Sequence, residues 1–420
     1  MGFLFAAGGQ ARPAAGDNRG RMPNSSRSRG GLLDGVRVLD LTSVVAGPWA
    51  THVLAGFGAD VVKVEPPQGD IMRHAPPMKH RAMGSEFVQM GGSKRSIVLD
   101  LKTESGRAAL LALCARFDVL LHNVRPAAMR RLGLGYDAIA AVNPRIVYAA
   151  IVGFDQAGPY AARPAYDDLI QGASGLASLF AATGDGEPRY VPALIVDRIT
   201  GLCAANAILA ALLERERSGR GQALDVPMFE TMAELVLADH LGGHTFEPPA
   251  GPFGYTRVLT PYRRPYRTSD GYVCVLLYNH DHWVRFFAVS GHGDAFAADP
   301  RLSDDAIRRE HYDHAYRIVA EILTERTSAA WLALLEANDI PALPLHDVAS
   351  LLDDPQLAAT DFFVTEEHPS EGTVRTMRTP TRWSRSPAAR TSPAPRLGEH
   401  TRDVLREAGL DEALIAAVAP

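Results

Sequence analysis

From Gly31 onward, short apolar runs alternate with segments of helical period. "VRVLDLT" (Val36–Thr42) is a β-rich run, followed by "AGPWATHVLAGFGA", whose apolar positions recur at helical spacing. Pro48 falls in the first turn of that helix, where its missing N–H costs nothing. Further strands are predicted at Asp60–Pro67, Ser96–Leu101, Asp118–Asn123 and Arg145–Gly153. "TESGRAALLALCARF" predicts a helix with Thr103 as its N-cap. A longer alanine- and leucine-rich helix runs from Asp197 to about Arg217 and stops at Gly219 and Gly221. "ALDVPMF" then predicts a strand and "ETMAELVLADHL" a helix.

Short buried strands alternating with helices predict a parallel, doubly wound α/β sheet, in which ligands bind beyond the carboxyl ends of the strands. Residues 229–260 read as a linker, because Gly and Pro dominate the second half of that stretch. "YRRPYRTSDGYVCVLLY" predicts a hairpin about Ser269–Gly271, and helical patterns follow at 281–291, 304–326 and 328–338. Residues 261–345 therefore predict a smaller α+β domain, and 346–395 a return linker. Two short helices, "HTRDVLREAG" and "DEALIAAV", end the chain. Residues 1–30, rich in Gly, Arg, Ser and Pro, predict a disordered tail, and Met22 is a candidate alternative start.

Composition narrows the function classes. The chain is 46% apolar and 22% charged, as folded domains are. A net charge of −5 offers no global basic field for nucleic acid or anionic lipid. Cys114, Cys203 and Cys274 lie far apart without a C-x-x-C, which predicts reduced thiols and a cytoplasmic setting. No apolar run reads as long enough to span a membrane.

Candidate chemistry begins with Asp197, one carboxylate between the apolar Ala193–Val196 run and a helix. It reads either as an N-cap or as a nucleophile. A carboxylate is ionised at neutral pH and needs no base, only desolvation and a helix end for its charge. Asp167 and Asp168 form a second acidic pair, either a general acid/base or the acids of a helix's first turn. Lys94, Arg95 and Lys102, and then Asn123, Arg125, Arg130 and Arg131, flank strands and could meet phosphates or solvent. No G-x-G-x-x-G follows the first strand, so no nicotinamide or flavin, and no other permanent cofactor, is expected. The histidines of "NHDHW" and "HYDH" have no third ligand in a fixed motif, so no metal is expected either.

Five stretches in order carry a resemblance: "GVRVLDLTSVVAGPWATHVLAGFGADVVKVEPPQGD", "KRSIVLDLKTESGRAALLAL", "DVLLHNVRPAAMRRLGL", "VDRITGLCAANAILAALLERERSGRGQALDVPMFETM" and "LGEHTRDVLREAGL". Over nearly the whole chain from Gly31 the sequence resembles the class III CoA-transferases of the CaiB/BaiF type. The resemblance implies CoA transfer from an acyl-CoA to a free carboxylic acid. It implies that Asp197 is the nucleophile, forming mixed-anhydride and aspartyl-CoA intermediates. It implies CoA contacts at Val45, Ala46, Leu99, Lys102, Asn123, Val124 and Arg131. It also implies an interlocked homodimer whose Rossmann-like large domain, residues 31–228, is completed by helices in 396–420. Val45 stands where the formyl-CoA type has Gln, and "GPFGYTRVLTPYRR" lacks that type's glycine run, which argues against formyl- or oxalyl-CoA. The related α-methylacyl-CoA racemases read G-H-D-I-N-Y where this chain has "AYDDLI". Asp167 matches their aspartate, but Tyr166 replaces the histidine. Racemase chemistry, with Asp167 as partner to Asp197, and a non-catalytic CoA-binding homologue are the alternatives.

Overall fold

The computed structural model describes residues 31–184, 186–386 and 392–419. The predicted tail, residues 1–30, lies outside the described residues. The sheet at the centre has six parallel strands: β1 (Arg37–Leu41), β2 (Asp60–Glu65), β3 (Lys94–Val98), β4 (Val119–His122), β5 (Val147–Val152) and β6 (Ala223–Pro227). Their spatial order is β3-β2-β1-β4-β5-β6, with every pairing parallel. The expected α/β class is thus borne out. The order reverses between β1 and β4, which opens a crevice at their carboxyl ends.

Alternation along each strand sends neighbours to opposite faces. Val38, Val61 and Val119 face one core, under helices Ala46–Gly56 and Ile195–Ser218. Leu39, Val62 and Leu120 face the other, under helix Glu104–Cys114 and residues Val404, Leu405 and Ile415 of the final helices. The chain's end therefore packs on the sheet that its beginning formed. Thr103 caps its helix as expected, accepting from the Gly106 N–H. β3 begins two residues earlier than expected and ends at Val98. Beyond it the Asp100 carboxylate accepts from the Lys102 N–H, and this turn ends the strand.

A second core lies beyond helix Met228–His240. It gathers Val273, Phe286, Phe287 and Trp331 around an antiparallel sheet of β7 (Tyr266–Arg267), β8 (Tyr272–Val275) and β9 (Ala342–Pro344). The helix expected over 230–241 is present as Met228–His240, which trims the linker reading of 229–260 to its second half. One linker reading is corrected. Residues 346–395 carry an antiparallel hairpin, β10 (Phe363–His368) and β11 (Gly372–Met377). Val374 of that hairpin packs against the Met83, Phe87 and Val88 cluster. One of its faces is exposed, and the buried face itself carries polar residues, His368 and Thr376 with Glu366, so its sequence shows no apolar–polar alternation to read.

Candidate active site

The crevice at the strand reversal is built from the loop after β1. Asn123, just past β4, accepts from the Ser43 N–H at 3.1 Å and donates to the Ser43 carbonyl at 2.8 Å. Its amide thus spans the two strands on either side of the reversal. Next in the loop, Val44 has φ of 70°, a strained conformation for a β-branched residue. Buried charges hold it there. Asp70 accepts from the Val44 N–H at 3.2 Å and pairs with Lys63 at 2.8 Å, and Lys63 also donates to the Thr42 carbonyl at 2.8 Å. Burial alone would raise the Asp40 pKa, but Lys63, Lys94 and two threonine hydroxyls hold it at about 2.

These pairings change the reading of the basic candidates. Lys94 is buried against Asp40 and Thr51, and Arg95 bridges Asp60 and Glu407. Neither is offered to a phosphate. Lys102 and Arg131 are exposed, one past β3 and the other at the end of helix Pro126–Arg131.

The opposite wall carries the acids. Asp197 is the third residue of helix Ile195–Ser218, and Leu194 is the N-cap, so Asp197 does not cap its own helix. Asp167 takes that role from outside: one carboxylate oxygen accepts the Asp197 backbone N–H at 3.0 Å. The other accepts from Gln171 at 2.6 Å, one turn further along helix Asp167–Ala173. The Asp197 carboxylate makes no hydrogen bond among the described residues and is 8% exposed. Burial, then the neighbouring Asp167 charge, pushes its pKa up to about 6, against a smaller lowering by Arg198. One turn on, Gly201 lets this helix meet the loop helix closely, since a Cβ there would sit 2.5 Å from the Ala46 carbonyl.

A cavity of about 280 Å³ joins the two walls. Val45, Ala46, Asn123, Asp167 and Asp197 line it together, along with Arg125, Arg163 and Met228. Leu99, Lys102, Val124 and Arg131 do not line it. Leu99 is buried in the core on the far face of the sheet, and the Val124 carbonyl is bonded to His122. Sequence reasoning passed over Gln171, Lys63 and Asp70. The first had a signal, being four residues after Asp167 and so on the same helical face. The other two had none, because their roles depend on which strands become neighbours.

No histidine lines the cavity, and Tyr166 at its mouth is 66% exposed. The helix carrying Asp197 is the one described helix long and apolar enough to cross a membrane, and half of its apolar window is buried within this protein.

The family model for CoA-transferase family III matches residues 33–401. A succinate–glutarate CoA-transferase of Agrobacterium fabrum is 33% identical over 387 residues, covering 89% of this chain and 95% of that one. A formyl-CoA:oxalate CoA-transferase of Streptomyces coelicolor is 35% identical over 405 residues, covering 90% and 96%. The crystal structure of a CaiB/BaiF family protein from Brucella suis superposes with a TM-score of 0.77 at 30% identity, covering 90% of this chain and all of that one. Likeness of this extent, carried by sequence and fold alike, makes this chain a member of CoA-transferase family III and an enzyme of that class.

Proposed function

We propose that the protein moves CoA between an acyl-CoA thioester and a free carboxylic acid through covalent intermediates on Asp197. The observation that carries this reading is the Asp197 carboxylate itself. It lines the cavity without a hydrogen-bond partner among the described residues, at the positive end of a long helix. A pKa of about 6 leaves it mostly ionised at neutral pH but less solvated than a surface acid, as a nucleophile requires.

An Asp197 oxygen attacks the thioester carbonyl carbon. The C–S bond breaks, CoA leaves as thiolate, and an aspartyl–acyl anhydride remains. The thiolate then attacks the aspartyl carbonyl, releasing the donor acid as its carboxylate and leaving aspartyl-CoA. The acceptor carboxylate repeats both steps in reverse and restores Asp197. Asp167 acts here as a positioning residue: it fixes the backbone under Asp197 and raises its basicity by like charge. The loop at Val45 and Ala46, with Asn123, would hold the thioester end of CoA, and Lys102 and Arg131 its phosphates. The name of the Agrobacterium relative favours dicarboxylates of the succinate and glutarate kind as the acids exchanged. Formyl- and oxalyl-CoA remain disfavoured, because Val45 replaces Gln and the small-domain loop lacks the glycine run.

The reading includes a homodimer. Leu202, Ala210 and Leu213, with Asn206 among them, form an exposed and largely apolar stripe on the outer face of the Asp197 helix, which supports a partner subunit covering it. The three cysteines are free thiols, which supports a reducing, cytoplasmic compartment.

The test is mass spectrometry of acyl-CoA pools with a panel of acids in heavy water, with hydroxylamine as a trap. We expect new thioesters and an aspartyl hydroxamate at residue 197, both absent in Asp197→Ala, which still binds CoA. Wild-type transfer by Asp197→Ala removes the nucleophile assignment. Deuterium gain at Cα without new thioesters points instead to racemase chemistry.

A further inference from the structure

The second core holds a cavity of about 200 Å³, separate from the crevice at the sheet. Three guanidiniums line it: Arg257 on the short helix Thr256–Leu259, and Arg263 and Arg264 in the segment entering β7. Its remaining wall includes Tyr316, Cys274 and Leu277. No aspartate or glutamate lines it.

Elsewhere in the same core, Arg301, Arg308, Arg309 and Arg317 each pair with a carboxylate. Among the described residues, Arg257, Arg263 and Arg264 pair with none. The neighbours of Arg257 are neutral phenols, Tyr255 at 3.3 Å and Tyr316 at 3.5 Å. Arg257 is also half-buried, where an uncompensated charge is least favourable. In a protein of net charge −5, the half-buried Arg257 without a carboxylate, with the exposed Arg263 and Arg264 on the same hollow, favours an anion from outside. The guanidinium fork matches a carboxylate in two parallel hydrogen bonds. The apolar wall suits a short carbon chain, and the volume lies below the usual range for larger ligands, roughly 300–1,000 Å³.

We propose that this cavity binds a small aliphatic carboxylic acid through Arg257, Arg263 and Arg264. The proposal rests on the transferase reading only in taking that acid to be of the class exchanged with CoA. The cavity stands on the same chain as the reacting aspartate but uses none of its residues.

Cys274 in the cavity wall reports occupancy, and Cys203, on the Asp197 helix, is the control. The measurement is thiol alkylation followed by peptide mass spectrometry on full-length Asp197→Ala protein, which turns nothing over. We expect succinate to slow labelling of Cys274 and not of Cys203. Arg263→Ala/Arg264→Ala should weaken succinate protection by about tenfold or more, the effect of losing charge-assisted contacts. Both side chains are exposed, so the fold should persist. Arg263→Lys/Arg264→Lys should keep part of the protection. Absence of succinate protection, or equal protection in the double alanine variant, overturns the proposal. So does protection by adenosine 3′,5′-bisphosphate where succinate gives none, which would make the cavity a phosphate site. Because the readout needs no turnover, loss of CoA transfer in the wild type would leave this result standing.

Discussion

Replacing Asp197 with Asn should abolish transfer and stabilise the fold together. The folded pKa of Asp197 is about 6 against an ordinary 3.8. Each unit of difference is 1.36 kcal/mol, so holding the charge in the cavity costs about 3 kcal/mol above pH 6. An amide buried in its place gives back about 1 kcal/mol of that gain, leaving about 2 kcal/mol. The sign follows from the direction of the shift. A raised acid pKa costs nothing below the unfolded value of 3.8, and its full cost appears as pH rises through about 6. The stability difference between Asp197→Asn and wild type should therefore be full at about pH 8 and fall below about 1 kcal/mol at about pH 5. Urea denaturation at fixed chain concentration measures it. The wild-type rate should rise through about pH 6 as the nucleophile ionises, and Asp167→Asn should move that limb to lower pH. A variant no more stable than wild type at pH 8, or a gain independent of pH, would refute the claim that a desolvated charge is stored at this position.

Three further outcomes are expected. Lys102→Ala and Arg131→Ala should each weaken binding of the CoA ester by roughly tenfold or more with little change in kcat; unchanged affinity in both removes them from the CoA site. Lys63→Met leaves Asp70 and Asp40 short of a cation and frees the Thr42 carbonyl, so it should cost about 3–5 kcal/mol of stability and raise KM for the CoA ester; a wild-type KM would separate this network from the loop it underlies. Leu202→Glu/Leu213→Glu places charge on the apolar stripe of the Asp197 helix and should shift solution scattering from a dimeric to a monomeric mass; a wild type already monomeric excludes the interlocked assembly.

The sequence by itself determined the strands of the main sheet, the Thr103 cap and the long helix, because each rests on a local pattern of apolar spacing or capping chemistry. It also singled out Asp197, an isolated acid after an apolar run. It could not say what that acid does at the helix mouth. The structure gives the cap to Asp167, thirty residues earlier in the chain. Lys94, Arg95 and Lys102 look alike as charges beside a strand. Only the fold buries the first against Asp40, spends the second on Asp60 and Glu407, and leaves the third exposed. The hairpin at 363–377 escaped notice because its buried face is itself polar, with His368 and Thr376 inside. Local sequence fixes backbone conformation and which side of an element is apolar. Which carboxylate meets which N–H, and which cation is left without a partner, depends on strand order and helix approach, and these are settled only when distant segments pack.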